Sequence, residues 1–136
     1  MATALDVAVR DMASNLAKLE ALRTRFVTKL REAIPNIVLN SPESTDLDCL
    51  PTTVNLSFLG CRSDVLLVSL DLAGVACSTG SACSSGSLLP SPVLEAMGVS
   101  EVRLRSAIRF SLSAMLTEQE IDGAVQRVEK CVQAMR

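Results

Sequence analysis

Residues 4–32 carry an apolar stripe that dominates what this chain can fold into. Leu5, Val9, Met12, Leu16, Leu19, Leu22, Phe26 and Leu30 recur three or four positions apart, with charged residues between them. That spacing predicts one long amphipathic helix. Twenty-nine residues at 1.5 Å rise would run about 43 Å, long for a chain of 136 residues. Arg23 interrupts the stripe, which argues against a coiled-coil seam. A helix laid across a sheet, or linking to another domain, fits better. Pro35 ends it.

The rest of the chain must supply what that helix packs on. Ile37-Val38-Leu39 is a short strand candidate, and 40–51 is a polar, acidic loop. Thr53–Phe58 alternates, with Val54, Leu56 and Phe58 on one face. Ser63-Asp64 can cap a helix over 65–73 that Gly74 stops, although its apolar run also suits a buried strand. Val75-Ala76-Cys77 is a further strand candidate. Ser91-Pro92 opens a short helix that Gly98 closes. Ser106–Leu112 alternates again, with Ile108, Phe110 and Leu112 opposite Ala107, Arg109 and Ser111. Thr117-Glu118-Gln119-Glu120 is a capping box before a helix striped by Ile121, Val125, Val128, Val132 and Met135. The expected fold is α+β, a single domain over 1–136: a small, mainly antiparallel sheet with helices on one face and a long N-terminal helix.

Composition narrows the function classes. Net charge is −2 and the sequence pI about 5.1, against general affinity for nucleic acid or an anionic membrane. No apolar run approaches the roughly 20 residues of a membrane span, and the N-terminus lacks a basic flank and a signal-like core. Histidine, tryptophan and tyrosine are absent. The commonest general base and metal ligand are therefore missing. Five cysteines, an odd count with no C-x-x-C spacing, indicate neither a disulfide framework nor a zinc site. Reduced thiols in the cytoplasm are the expectation.

Two residues stand out for chemistry. Residues 78–91 contain six Ser and two Gly around one thiol, Cys83. A thiol in such a loop can act as a nucleophile and present its product elsewhere, or be an incidental surface cysteine. No base lies near it in sequence. Arg109 is set mid-strand, opposite the apolar face and between small residues. Its planar fork suits a carboxylate, or it is an ordinary solvent-facing or ion-paired arginine. Cys77 reads as a buried small hydrophobe. Cys49, Cys61 and Cys131 read as structural or incidental, and Arg103 and Arg105 as surface charges. The Ser/Gly stretch lacks the lysine and the glycine placement of a phosphate-binding loop.

Three segments, in order, carry a family resemblance: Ser78-Thr79-Gly80-Ser81-Ala82-Cys83-Ser84-Ser85-Gly86-Ser87 with Pro90-Ser91-Pro92-Val93-Leu94, then Ser106-Ala107-Ile108-Arg109-Phe110-Ser111-Leu112 with Thr117-Glu118-Gln119-Glu120-Ile121-Asp122, and before both Asn55-Leu56-Ser57-Phe58. Together they resemble the C-terminal small domain of NifS/IscS-like cysteine desulfurases, class V enzymes of the fold-type I pyridoxal phosphate group. The resemblance implies that Cys83 is the nucleophile that takes sulfur from L-cysteine, leaving alanine and a persulfide. It implies that Arg109 grips the substrate α-carboxylate. It also implies delivery of sulfur to an acceptor such as an iron–sulfur scaffold protein, and a homodimer in the full-length enzyme. A selenocysteine lyase, or a stand-alone sulfur-carrier module without cofactor, is the alternative.

The chain also departs from the family pattern. The serine–histidine–lysine motif that supplies the Schiff-base lysine is missing, as are the aspartate and histidine that flank the cofactor ring. Only Lys18, Lys29 and Lys130 are present, none in such a context, and Ser113 stands where the family often has Gly. The expectation is a C-terminal domain whose pyridoxal phosphate site lies in a large domain outside this sequence, inactive by itself.

Overall fold

The computed structural model describes residues 2–43, 49–80 and 91–136. Its three strands are β1 (Ile37–Leu39), β2 (Thr53–Phe58) and β3 (Ala107–Ser111), in spatial order β1-β2-β3 and antiparallel throughout. The helices are α1 (Ala2–Arg10), α2 (Met12–Ala33), α3 (Ser63–Leu72), α4 (Pro92–Ala96), α5 (Glu101–Leu104) and α6 (Glu118–Met135). The α+β expectation holds.

Alternation in the strands sets the two faces of the sheet. Val54, Leu56, Phe58, Ile108 and Phe110 point into one core with Leu22, Phe26, Leu30, Leu66, Leu70, Val125 and Val128 from the helices. The chain's three phenylalanines meet there. Phe110 lies edge-on to Phe26, with centroids 5.1 Å apart, and to Phe58 at 6.3 Å. The other face carries Asn55, Ser57 and Arg109, since paired residues share a face and Asn55 is opposite Arg109. Short α5 reaches that second face through the Ser57 hydroxyl, which donates to the Arg103 carbonyl at 2.8 Å.

Local signals act as read at several boundaries. Gly74 takes a φ of +76° where α3 ends, a conformation that an L side chain adopts only with strain. The Thr117 hydroxyl accepts from the Glu120 amide while the Glu120 carboxylate accepts from the Thr117 amide, a closed capping box. The apolar 65–73 run is helical, because its buried residues, Leu66 and Leu70, are four apart.

Other expectations are corrected. The first helix is two, α1 and α2, divided at Asp11, where φ and ψ depart from the helix and the Arg10 fork clamps the carboxylate. Only its second half is a core element: Leu19, Leu22, Phe26 and Leu30 are buried, whereas Leu5, Val9, Met12 and Leu16 are exposed. Val75-Ala76-Cys77 forms no strand, and among the described residues pairing on that side of β3 is a single bridge at Ser78. Arg23 is buried, donating to the Pro42 carbonyl at 2.6 Å. Arg103 is not a free surface charge but bonds Asn40.

An ionic knot joins α2 to α6. Arg25 donates to both oxygens of Asp122 at 2.8 and 2.7 Å, and Lys29 lies 2.8 Å from the same carboxylate. Hydrogen bonds from Arg25 and then Lys29 hold the Asp122 carboxyl far below its ordinary range. A carboxyl depressed on folding stabilises the fold above its unfolded pKa of about 4 and loses that contribution as pH falls further. The urea midpoint is therefore expected to drop on acidification below about pH 4, and Asp122→Asn to flatten that acid limb while lowering the neutral-pH midpoint. Unchanged acid limbs in equilibrium unfolding would remove the knot from the account.

Candidate functional site

The open face of the sheet gathers the polar side chains that the strand pattern exposes. Arg109 is half-buried there, in the middle of β3. Its backbone makes both hydrogen bonds of the bridge to Ser78, at 2.7 and 2.9 Å. Its Nε donates to the Ser78 hydroxyl at 3.0 Å. The bridge and the side-chain bond together hold the guanidinium toward the point where the Ser/Gly stretch begins.

Arg109 differs in its partners from the other arginines. Arg10, Arg25, Arg31, Arg62 and Arg105 are each paired with a carboxylate. Arg103 is held by the Asn40 amide oxygen, and Arg136 by the carbonyls of Pro35 and Leu59. Among the described residues, the terminal nitrogens of Arg109 have no carboxylate and no other oxygen as partner. A half-buried guanidinium of which only the Nε is engaged by the described residues keeps toward them the fork that binds a planar anion at two points. Among the described residues Arg109 has no carboxylate partner of its own.

Cys83, the other candidate, lies outside the described residues, and so does most of its loop. Its tether is fixed by covalent geometry. Cys83 is five residues beyond Ser78, so its Cα can reach no more than about 18 Å from that of Ser78. Ser78 is itself bonded to Arg109.

Three of the other thiols, those of Cys61, Cys77 and Cys131, are placed against reactivity. Cys61 is buried. Burial first, with Asp71 and Cys131 nearby, pushes the Cys77 thiol up to about 11. Burial also raises that of Cys131, which donates to the Ser69 carbonyl. Cys77 as a small core hydrophobe agrees with its packing against the core cluster. No group of metal-ligating side chains occurs among the described residues, and none of their helices is long and apolar enough to cross a membrane.

Sequence reasoning gave no role to Asn55, Asn40 or Arg103 beyond a motif or a charge. Asn55 stands directly across from Arg109. Its amide oxygen accepts from Asn40 at 2.7 Å, and Arg103 closes on Asn40 from α5. The outward, polar position of Asn55 on β2 was the available signal; the contact between Arg103 and Asn40 spans 63 residues and left none.

Comparisons with known proteins agree with this architecture. The cysteine desulfurase IscS of Clostridium botulinum is 36% identical over 133 residues, 98% of this chain and 33% of that protein. The IscS-like cysteine desulfurase of Mycobacterium tuberculosis is 38% identical over 126 residues, 93% of this chain and 32% of that protein. A solved NifS-like protein superposes with a TM-score of 0.80 and 28% identity, over 98% of this chain and 32% of its own. The chain thus spans about a third of the length of the relatives it matches. The profile of aminotransferase class-V matches residues 1–123, and with relatives of the NifS/IscS type along its whole sheet and helical layer the chain belongs to the class-V aminotransferase family.

Proposed function

We propose that this chain is the C-terminal small domain of a cysteine desulfurase, and that it supplies two groups to the reaction. Arg109 binds the α-carboxylate of L-cysteine through its terminal nitrogens, which have no partner among the described residues. The thiol of Cys83 takes the substrate sulfur. The balance is L-cysteine plus the Cys83 thiol giving L-alanine plus a Cys83 persulfide. The substrate Cβ–S bond breaks, an S–S bond forms, and the substrate carbon is reduced as the sulfur is oxidised. The loop then carries the outer sulfur to an acceptor protein, of which an iron–sulfur scaffold is the expected kind.

The observation that carries the reading is the coupling of Arg109 to Ser78. It supports a carboxylate grip at the root of the segment that bears the thiol, with binding and sulfur acceptance sharing one anchor. Thiols unpaired at Cys49, Cys61, Cys77 and Cys131 support a reducing compartment such as the cytoplasm. The uncovered apolar residues Leu5, Val9, Met12 and Leu16 support packing against further parts of a larger, homodimeric enzyme.

Pyridoxal phosphate, which the family implies, does not fit the described residues. It needs a lysine free to bond its aldehyde. Lys29 is paired with Asp122. Lys18 is exposed in a groove of about 320 Å³ with Arg25 and Glu118, and Lys130 is exposed on α6. All three belong to the helical layer, on the side of the sheet away from Arg109. The reading therefore assigns cofactor binding to the rest of the enzyme.

Thiol mapping tests the reading. At neutral pH a thiol with a pKa of about 11 is thiolate only to about one part in ten thousand. Brief alkylation is expected to label Cys83 ahead of Cys61, Cys77 and Cys131. In the full-length enzyme supplied with L-cysteine, one extra sulfur atom is expected on the Cys83 peptide, matched by alanine. Sulfur accumulating on another cysteine, or alanine without any persulfide, would overturn the assignment.

A further inference from the structure

Behind Arg109 lies a short relay of amides and a hydroxyl whose orientation follows from counting donors. The guanidinium of Arg103 can only donate. Its Nε and Nη2 reach the Asn40 side chain at 3.0 and 2.5 Å, so the atom they meet is the amide oxygen. The other end of that amide is then the NH2 group. Ser57 imposes the same orientation independently. Its one proton goes to the Arg103 carbonyl at 2.8 Å, so it can only accept from Asn40, also at 2.8 Å. The second N–H of Asn40 points at Asn55 at 2.7 Å, and the atom it meets is the Asn55 amide oxygen. The Asn55 NH2 group is left as the outward half of its amide.

Little of this relay can turn. Asn40 and Ser57 are buried, and reversing either amide would set donor against donor in a site with little water to relieve it. The Asn55 backbone is held as well. Its N–H donates to the Ser41 hydroxyl at 2.9 Å, and its carbonyl accepts from the Asn40 amide at 2.8 Å. Asn55 is the cross-strand partner of Arg109, and Cβ atoms of such pairs lie about 5 Å apart on the same face.

We propose that Asn55 is a second anchor for the substrate carboxylate, its NH2 group donating to the anion that Arg109 grips, and that Asn40 and Arg103 are positioning residues that keep that NH2 group outward. The inference rests on the reading of Arg109 as a carboxylate grip. A carboxylate offers about four lone-pair sites; the guanidinium fork takes two, and a neutral amide takes a third without adding charge. A reversed Asn55 amide would offer oxygen to oxygen and reject the anion, so the relay contributes to specificity.

The test is a titration of the isotope-labelled chain with L-alanine and, separately, with L-alaninamide, which lacks the carboxylate. The Asn55 side-chain NH2 and Arg109 Nε–H resonances are followed. Both are expected to shift on one isotherm with L-alanine, and neither with the amide. Asn55→Ala is expected to weaken L-alanine binding about tenfold, the scale of one hydrogen bond to a charged group. Asn55→Asp is expected to abolish it, and Asn55→Ser, which keeps a donor, to recover part. Asn55 is only half-buried, so these variants test binding without opening the core. If Arg109 responds while Asn55 is silent and Asn55→Ala binds like the parent, the inference fails and the carboxylate grip survives. If neither resonance responds to L-alanine, the grip and the inference fall together.

Discussion

Replacing Arg109 by alanine is expected to lower kcat/KM for L-cysteine in the full-length enzyme by about a hundredfold or more. Removing one partner of a desolvated, hydrogen-bonded charge pair costs about 2–5 kcal/mol, and each 1.4 kcal/mol is a factor of ten. The loss is expected mostly in KM, because the carboxylate is gripped before and during the chemical step alike. Arg109→Lys keeps the charge but not the fork, and is expected to recover only a minor part. Alanine formation measured against L-cysteine concentration gives the comparison. Cysteamine, the same thiol without the carboxylate, supplies the control, since its residual turnover must be indifferent to the substitution. A variant that uses L-cysteine like the parent would place the carboxylate elsewhere and leave the guanidinium fork of Arg109 without a substrate.

What makes Arg109 legible in the sequence is the alternation of β3. A charged residue in a strand whose neighbours Ile108 and Phe110 are apolar must face away from the core, and the structure puts it there. The capping box at Thr117 and the stop at Gly74 were legible for a similar reason, since each is a local device that needs nothing from the rest of the fold. The first helix shows the limit of such reading. Its period reports an apolar stripe but not what covers it, and Leu5 and Val9 are exposed while Phe26 and Leu30 are buried. Val75-Ala76-Cys77 has strand composition, yet a strand also needs a partner edge, and among the described residues β3 pairs on that side at Ser78 alone. Arg103 reads as surface charge because its partner, Asn40, arrives from far along the chain. Asn55 takes its meaning from two such distant contacts, with Asn40 and with Arg109 across the sheet. The motif around Cys83 was the clearest in the sequence, and Cys83 lies outside the described residues.

The sheet that carries Arg109 depends on the aromatic cluster behind it, and Phe110→Ala is expected to be the most destabilising core substitution near the site. Phe110 is 3% exposed and sits between Phe26 and Phe58. Truncation removes the ring's burial, both edge-on contacts and the support of the α2 side of the core. Large-to-small changes of this kind cost about 3–5 kcal/mol, against a total stability of about 5–15 kcal/mol for a domain. Phe110→Leu fills much of the space and is expected to lose well under half as much. Urea unfolding of the two variants gives the difference directly. Phe110 and Arg109 are neighbours on opposite faces of β3, so a small cavity behind the strand also loosens the backbone that aims the fork. In Phe110→Leu, which is expected to remain folded, L-alanine binding is therefore expected to weaken less than in Asn55→Ala, because no donor to the carboxylate is lost. A Phe110→Ala variant that loses less than about 1 kcal/mol would contradict the close packing of the three rings, and with it the rigid strand on which the carboxylate grip is argued to stand.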